Sequence, residues 1–301
     1  MSLLPSILRD VELPCYGAVR SGYANRASGR RLGYKFGVAV AGNYSIKAYM
    51  LKNIEIFTLV SVALLVHTSI AFAETTPSIA DSASAMDVPV EYKLSLSDYD
   101  TQSVHANDIN LRADRDNQRG WVGYYKESST GFEQWRVGYE RTDRLVQMDV
   151  DTSLQAAAHG FLGGSITATL GDPFFGIIGY GRTNLKPYAN LNFDPNDAIT
   201  LGIGYKKKDG ASVTLFLVRD DRVVPGQQNV HLLMRSPLPN KQRITLDIVN
   251  KSGPADQGQP INGTGASVTY DWPSYFLRLA YDPKVNFTQE NMTRIAIGMH
   301  F

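Results

Sequence analysis

Hydrophobic and polar residues alternate with a period of two in the last segment of the chain, residues 293–301. Apolar side chains occupy every second position, at Ile295, Ile297, Met299 and Phe301, with Arg, Ala, Gly and His between them. Successive side chains of a β-strand point to opposite faces, so this pattern predicts a strand with one apolar face. Such a strand is unusual at the end of a soluble protein because it would leave a bare apolar edge.

The same alternation recurs along the chain, and no helical period of 3.6 residues competes with it. It predicts further strands in residues 134–140, 146–151, 165–170, 199–206, 229–235, 243–248, 266–272 and 275–281. Short turn sequences with Gly, Pro or Asn lie at residues 208–210, 238–241 and 271–274. Longer connections are predicted at residues 220–228, 252–263 and 282–291. Short and long connections alternate, which indicates an up-and-down antiparallel arrangement.

Two classes of protein share this alternation. In a soluble β-protein the apolar face is the core, whereas in a transmembrane barrel the apolar face meets lipid. Aromatic residues beside the turns are typical of the aromatic belts at membrane interfaces, and they occur here at Tyr270, Trp272, Tyr275 and Tyr281. The opposite faces of the predicted strands carry charges of both signs. These features favour the transmembrane barrel.

The strand that ends at Phe301 resembles the C-terminal signature of Gram-negative outer-membrane β-barrel proteins. The resemblance implies that Ile295, Ile297, Met299 and Phe301 form an assembly signal that the barrel-assembly machinery reads. It also implies a location in the cell outer membrane, in contact with outer-membrane lipids. The fold class that follows is all-β: a transmembrane antiparallel up-and-down β-barrel of about 12–14 strands over residues 87–301.

A secretory signal peptide is predicted over residues 50–73. Lys52 lies in its short polar start, an apolar run follows, and Ala71 and Ala73 form a small-x-small cleavage pattern before Glu74. The alternative is an uncleaved membrane helix over the same apolar run.

Two flanking segments are assigned by their position and composition. Residues 1–49 precede the predicted signal peptide and are expected to be a spurious or disordered extension; they contain the only cysteine, Cys15. Residues 74–86 are rich in Ser, Ala, Thr and Pro and are expected to be a disordered periplasmic lead-in. Absence of Cys after Glu74 suits passage through an oxidising periplasm.

The charge balance of the chain argues against a nucleic-acid partner. Eight of the 30 Lys and Arg residues and three of the 29 Asp and Glu residues precede Glu74, which leaves 22 basic and 26 acidic residues from Glu74 onward. The predicted mature chain therefore has a net charge of −4, and a nucleic-acid-binding domain is usually basic.

A possible catalytic group is a Ser–His pair. Ser103, His105 and Asn107 are spaced by two and would share one face of a strand, so His105 could act as base to Ser103 with Asn107 orienting the imidazole. This arrangement would make the protein a lipid hydrolase of the outer-membrane phospholipase or lipid A deacylase type. The residue order is reversed from the phospholipase pattern, and the pair more simply indicates a polar strand. We therefore commit to no catalytic residue.

The leading function is non-enzymatic: a channel for small polar solutes or a structural component of the envelope. The charged residues on presumed inward faces should line the lumen: Arg136, Asp149, Asp151, His231, Arg235, Arg243, Asp247, Asp271, Arg278 and Arg294. An interaction scaffold with partner-binding outer loops is a further alternative. No cofactor or metal is expected, since residues 114–120 resemble only half of a calcium loop.

The segment of residues 184–197 is unusually rich in Asn. Tyr188, Asn190 and Asn192 would share one face of a strand, and residues 194–197 would form a turn. The simpler prediction is a lumen-facing strand followed by a hairpin; a polar ligand site or a loop latch is the alternative.

Overall fold

The computed structural model describes residues 88–255 and 258–301, which form one closed antiparallel β-barrel. Its strands are β1 Glu91–Asp100, β2 His105–Arg115, β3 Gln118–Glu127, β4 Glu133–Leu145, β5 Met148–Ala157, β6 Phe161–Leu170, β7 Phe174–Thr183, β8 Ala198–Lys206, β9 Ser212–Asp220, β10 Gln228–Leu238, β11 Gln242–Pro254, β12 Pro260–Asp271, β13 Tyr275–Asp282 and β14 Met292–His300. Each strand pairs with its neighbours in sequence, which confirms the predicted up-and-down barrel and places it at the upper end of the expected strand number.

The barrel closes through the pairing of β14 with β1. Their register runs from Lys93 opposite His300 to Asp100 opposite Thr293. Beyond the strand ends, the backbones of Tyr92 and Phe301 exchange two hydrogen bonds of 2.8 and 3.0 Å. No strand edge of the sheet is left open, which is the condition for crossing a lipid bilayer with β-strands.

The outer surface of the barrel is apolar. Large hydrophobic side chains on outward positions are strongly exposed, among them Phe174 at 73%, Ile203 at 66% and Ile178 at 60%. Inward positions of the same strands carry buried polar side chains, such as Thr200 on β8 and Gln155 on β5. A closed barrel that exposes an apolar belt and buries polar groups has the surface of a protein that sits in lipid.

The connections differ between the two ends of the barrel. At the end where β1 begins and β14 ends, the strands are joined by turns at residues 116–117, 146–147, 171–173, 207–211, 239–241 and 272–274. Three of these overlap the predicted turns at residues 208–210, 238–241 and 271–274, and Gly210 supplies a positive φ of 91° in one of them. At the opposite end the connections are more varied, and two short 3₁₀ turns lie there, at Ala158–Gly160 and Val285–Phe287.

The predicted long connections are found at residues 221–227 and 283–291, but the prediction for residues 252–263 was wrong. Strands β11 and β12 continue to Pro254 and from Pro260, so only residues 255–259 connect them. Strands β11 and β12 pair beyond their predicted ends because their inward side chains remain buried there: Lys251 is 1% exposed and Ile261 is 3% exposed.

Other predictions fall outside the described residues. These are the extension over residues 1–49, the signal peptide over residues 50–73 with its cleavage site at Ala71, Ala73 and Glu74, and the lead-in over residues 74–86. In the part of the chain that the structure describes, no helix is long and apolar enough to span a membrane.

Candidate functional site

The connection between β7 and β8, residues 184–197, folds into the lumen; we call it the lumen loop. It contains no strand, and Tyr188, Ala189, Asn190 and Asp194 are buried to between 1% and 4% exposure. The prediction of a strand followed by a hairpin was therefore wrong. The loop is held by side chains of the barrel wall and does not pair with a neighbouring strand. This arrangement corresponds to the alternative of a loop latch.

Gln134 on β4 holds the first part of the lumen loop. Its Nε2 donates to the backbone oxygens of Pro187 and Ala158, both at 2.9 Å, and its Oε1 accepts from the Ala189 amide at 2.7 Å. One buried side chain thus satisfies two backbone groups of the loop. Unpaired backbone groups would be costly at this depth, so Gln134 is a main reason why the loop can remain inside.

Tyr188 fixes the same part of the loop on the next strand. Its hydroxyl donates to Gln155 Oε1 on β5 at 2.8 Å. Its ring stacks on Phe161 of β6, with the ring centroids 4.1 Å apart. The hydroxyl of Tyr188 thus makes a hydrogen bond while its ring makes an apolar contact, which is typical of buried tyrosines.

Two arginines of the wall reach backbone oxygens of the loop tip. Arg136 on β4 pairs with Asp108 on β2 and donates to the Ala189 oxygen at 3.4 Å. Arg294 on β14 donates to the Leu191 oxygen at 3.4 Å, and its guanidinium lies 5.0 Å from the centre of the Tyr99 ring. Arg136 thus holds the loop from the same strand as Gln134, and Arg294 holds it from β14.

The end of the lumen loop is fixed on β10. Asp194 accepts a hydrogen bond from Asn229 and lies 3.0 Å from His231 Nε2. The other ring nitrogen of His231 lies 3.1 Å from Asp247 on β11, so the imidazole sits between two carboxylates. The imidazole also stacks on Phe216, with ring centroids 4.5 Å apart and planes 3° apart.

The lumen loop therefore crosses the lumen. Its anchors on β4 and on β10 are six strands apart in a barrel of fourteen, so they lie on nearly opposite walls. Cavities remain on either side of it. One of about 70 Å³ borders β1 to β4, and one of about 100 Å³ borders β9 to β14. Such a loop can restrict what passes through the barrel.

The ten charged residues predicted to line the lumen all fall on inward positions of the strand register. Arg243 contacts Asp271 at 3.1 Å, Asp149 lies 3.8 Å from Arg144, and Asp151 accepts from Thr142. Arg235 is buried, and Arg278 lines the larger cavity. The wall is thus polar and cross-linked by charge pairs.

Sequence reasoning missed several residues that shape the lumen. Lys251 on β11 is buried, and its Nζ donates to both carboxylate oxygens of Asp282 at 2.9 Å. It lay between the predicted strand of residues 243–248 and the predicted connection of residues 252–263. Gln134 did lie on the polar side of a predicted strand, whereas Gln155 lay beyond the predicted strand of residues 146–151; an uncharged amide gives no signal in a search for charged or catalytic groups.

The hydrolase candidates are not brought together. Ser103 lies in the connection between β1 and β2, outside any strand, and its hydroxyl hydrogen-bonds to Glu290. His105 and Asn107 face outward on β2, and the two ring nitrogens of His105 lie 3.4 and 3.6 Å from Asp98 and Asp100. The serine and the histidine thus have different partners, and the arrangement is not that of a nucleophile with its base.

The residues of the proposed assembly signal lie at the seam of the barrel. Ile295, Ile297 and Met299 face outward on β14, exposed by 49%, 53% and 38%. Phe301 stacks on Tyr92 with ring centroids 5.6 Å apart. Their role in assembly stays a prediction.

No family model matches the sequence, and no curated protein matches it. Similar solved structures include the outer membrane protein Omp33 of Acinetobacter baumannii, with 10% identity over 71% of this chain and 100% of that chain and a TM-score of 0.48. Salmonella typhi OmpF in complex with daunomycin has 10% identity over 71% and 97% of the chains and a TM-score of 0.40. A mutant Rh. blastica porin has 8% identity over 71% and 100% of the chains, also with a TM-score of 0.40. At these scores the likeness carries no argument, and the fold stands on the strand pairing itself.

Proposed function

We propose that the protein is an integral outer-membrane β-barrel that serves as a narrow, non-enzymatic channel for small polar solutes. The observation that carries the proposal is the lumen loop, which crosses a polar, water-compatible lumen and is fixed on opposite walls. A loop that folds inward in this way narrows the lumen and limits the size of the solutes that can pass, while the barrel wall stays unchanged.

The exterior and the ends of the barrel support the proposed location. The exposed apolar belt fits outer-membrane lipids, and the short turns lie at the end where β1 begins and β14 ends. Short turns mark the periplasmic end in barrels of this class. The lumen loop then enters from the outer end. We propose that the barrel-assembly machinery recognises Ile295, Ile297, Met299 and Phe301 at the periplasmic end of β14.

The geometry favours a channel over the two alternatives. A hydrolase would need Ser103 to meet His105, yet Ser103 contacts Glu290 and His105 contacts Asp98 and Asp100. A scaffold would present its longest outer connection to partners. Here the longest one among the described residues is turned into the lumen, where residues 188–190 and 194–197 are buried.

Conductance in planar bilayers tests the proposal. Tyr180 of β7 lies opposite Ile199 of β8, so a short Gly–Ser turn can replace residues 185–196 without changing the strand register. The full chain should show small, selective conductance steps, and the variant without the lumen loop should show steps several-fold larger.

The matched control replaces residues 208–210, a turn at the opposite end, with Gly-Ser-Gly and should conduct like the unaltered chain. Heat-modifiable mobility on gels verifies that all three barrels fold. Absence of conductance in both the full chain and the loop-less barrel would identify a sealed structural component and contradict the proposal. Equal conductance in the two would show that the loop is not the constriction.

A further inference from the structure

A patch of polar side chains lies on the outer surface of the barrel, at the end that holds the lumen loop; we call it the outer polar patch. It consists of one outward residue from each of four neighbouring strands, β9 to β12: Arg219, Gln228, Asn250 and Thr264. Arg219, Asn250 and Thr264 are exposed, and Gln228 is half-buried. Neighbouring strands are about 4.8 Å apart, so the patch is wide enough for a headgroup larger than a single ion.

The outer polar patch lies at the edge of the apolar belt. On each of the four strands, the next outward residue toward the short turns is apolar; these residues are Leu217, Val230, Ile248 and Ala266. In a membrane the patch therefore lies where the hydrocarbon core meets the polar headgroups. In the orientation proposed above, those headgroups belong to the outer leaflet.

Arg219 is the only charged residue among the outward positions of β9 to β12, all of which belong to the described part of the chain. Its directly opposite neighbours, Ile199 on β8 and Gln228 on β10, are uncharged. No hydrogen bond or ion pair joins Arg219 to another described residue. By contrast, Lys126 on β3, an exposed outward cation near the same end, lies directly opposite Glu133 of β4. Arg219 thus presents its guanidinium to the membrane surface.

The two acidic residues that follow Arg219 in the sequence are bound to other groups. Asp220 is buried and accepts from backbone amides of the next connection, at 2.8 and 2.7 Å. Both carboxylate oxygens of Asp221 accept from the Arg182 guanidinium, at 2.8 and 2.6 Å, and this guanidinium lies 3.8 Å from the centre of the Tyr180 ring. Neither carboxylate is paired with Arg219.

The chemistry of the outer polar patch suits a phosphorylated sugar. A guanidinium is a planar fork that binds phosphate oxygens with two parallel hydrogen bonds. Gln228 Nε2 donates to Ser252 Oγ at 3.2 Å, and Asn250 Nδ2 donates to Thr264 Oγ1 at 3.0 Å, so both amides are oriented along the outer surface. Their oxygens have no donor among the described residues and can accept hydrogen bonds from sugar hydroxyls.

We propose that the outer polar patch binds one phosphorylated glycolipid of the outer leaflet. Arg219 binds a phosphate group, Gln228 and Asn250 bind sugar hydroxyls, and the acyl chains lie on the apolar residues of the same strands. The proposal concerns the outer surface of the barrel, so it does not depend on whether the lumen conducts. Only the choice of leaflet rests on the orientation given under the proposed function.

Native mass spectrometry of the full chain, refolded in a neutral detergent, tests the proposal with bisphosphorylated lipid A as the probe. Each barrel should retain a single lipid A molecule at low micromolar lipid concentration. The same lipid without its phosphates should bind about ten-fold more weakly, because hydrogen bonds between charged groups are the strong ones. Inorganic phosphate at millimolar concentration should not displace the lipid, which distinguishes a lipid site from a site for free phosphate.

Three variants locate the lipid on the barrel. Arg219→Gln should weaken lipid A binding about ten-fold, and Arg219→Lys, which keeps the charge but loses the fork, should weaken it less. Lys126→Gln is the matched control: it removes an exposed outward cation near the same end, but one that lies opposite Glu133, and it should keep the full affinity. Heat-modifiable mobility on gels verifies that each variant folds.

Equal binding of the phosphorylated and the dephosphorylated lipid would overturn the proposal, as would equal affinities of Arg219→Gln and Lys126→Gln for lipid A. Displacement of the lipid by inorganic phosphate would also contradict it, because the site would then recognise the free anion. The bilayer recording is a separate measurement, so a barrel that binds lipid A without conducting would contradict only the proposed function.

Discussion

Two connections at the same end of the barrel are polar in sequence but have different environments. The lumen loop crosses the lumen and is buried at residues 188–190 and 194–197, whereas the connection of residues 221–227, which we call the rim loop, stays at the mouth. Asp221 and Arg222 of the rim loop are exposed, and Arg222 contacts Asp197 at 2.8 Å. The difference lies in the wall: Gln134, Gln155 and Asn229 supply hydrogen bonds to the lumen loop from three strands.

The comparison indicates that the position of a polar loop depends on its partners more than on its own composition. Within the rim loop, the amides of Arg222 and Val223 donate to the Asp220 side chain at the end of β9, at 2.8 and 2.7 Å. These local bonds need no support from the opposite wall. The lumen loop would leave several backbone groups unpaired if the wall side chains were removed.

The largest expected effect comes from Gln134→Ala. The substitution removes three buried hydrogen bonds and leaves the Ala189 amide without its acceptor, so the barrel should lose about 3 kcal/mol of stability. The lumen loop should also become more open to solvent. Urea unfolding of the refolded barrel measures the first effect, and conductance measures the second.

Gln227→Ala is the control for that substitution. Gln227 is also buried, but it lies in the rim loop and donates one bond, to the Pro254 oxygen at 2.8 Å. We expect a loss of about 1 kcal/mol and unchanged conductance. Equal losses in the two variants would show that the lumen loop is no more dependent on the wall than the rim loop is.

A smaller effect is expected for Tyr188→Phe. The ring can keep its stacking on Phe161, but Gln155 Oε1 loses its donor, so the expected loss is about 1–2 kcal/mol. Tyr139→Phe provides the control, since Tyr139 is exposed and donates to Gln118 on the outer surface at 2.7 Å. It should change stability by less than about 0.5 kcal/mol. A larger loss at Tyr139 would contradict the assignment of Tyr188 as an anchor.

The smallest effect concerns pH at the mouth of the barrel. The hydroxyls of Ser103 and Thr101 hydrogen-bond to the Glu290 carboxylate and hold its pKa below the usual value. Because the folded state favours the charged form, this contribution is complete above the ordinary pKa of Glu and is lost as the pH falls through the lowered pKa. The Ser103→Ala variant should therefore lose less stability on acidification than the unaltered chain.

Acid titration of the unfolding temperature measures the pH effect, with Ser128→Ala on the neighbouring connection as the control. An identical acid response in Ser103→Ala and in the unaltered chain would show that the Ser103 hydroxyl does not act on Glu290.

The sequence predicts most of the strands because a period of two is a local property. It does not single out β9, where Phe216 and Val218 face inward and pack with Leu233 and Ala198, so that apolar residues occupy both faces. It also overestimates the connection at residues 252–263. The Gly, Pro and Asn residues of this segment are typical of a loop. In the structure, however, the side chains of Lys251 on β11 and Asp282 on β13 form an ion pair at this height of the barrel.

The lumen loop could not be predicted from its own residues. Tyr188, Asn190 and Asn192 alternate as they would in a strand, while the groups that hold the loop are far away in sequence, at Gln134 and Asn229. The charged residues facing the lumen follow from the strand register. Their partners follow from the register only where the two strands are neighbours, as for Arg243 and Asp271. The pair of Arg136 on β4 with Asp108 on β2 spans an intervening strand and depends on how the side chains pack inside the barrel.

Anchoring on nearly opposite walls has a mechanical consequence. An empty barrel of fourteen strands can flatten under the lateral pressure of a bilayer, since only its curved wall resists. Here Gln134 on β4 and Asn229 on β10 are joined by the lumen loop, so flattening in that direction would have to break buried hydrogen bonds or compress a packed interior. The loop thus acts as an internal strut, and we expect the cross-section of the barrel to change shape most readily perpendicular to it.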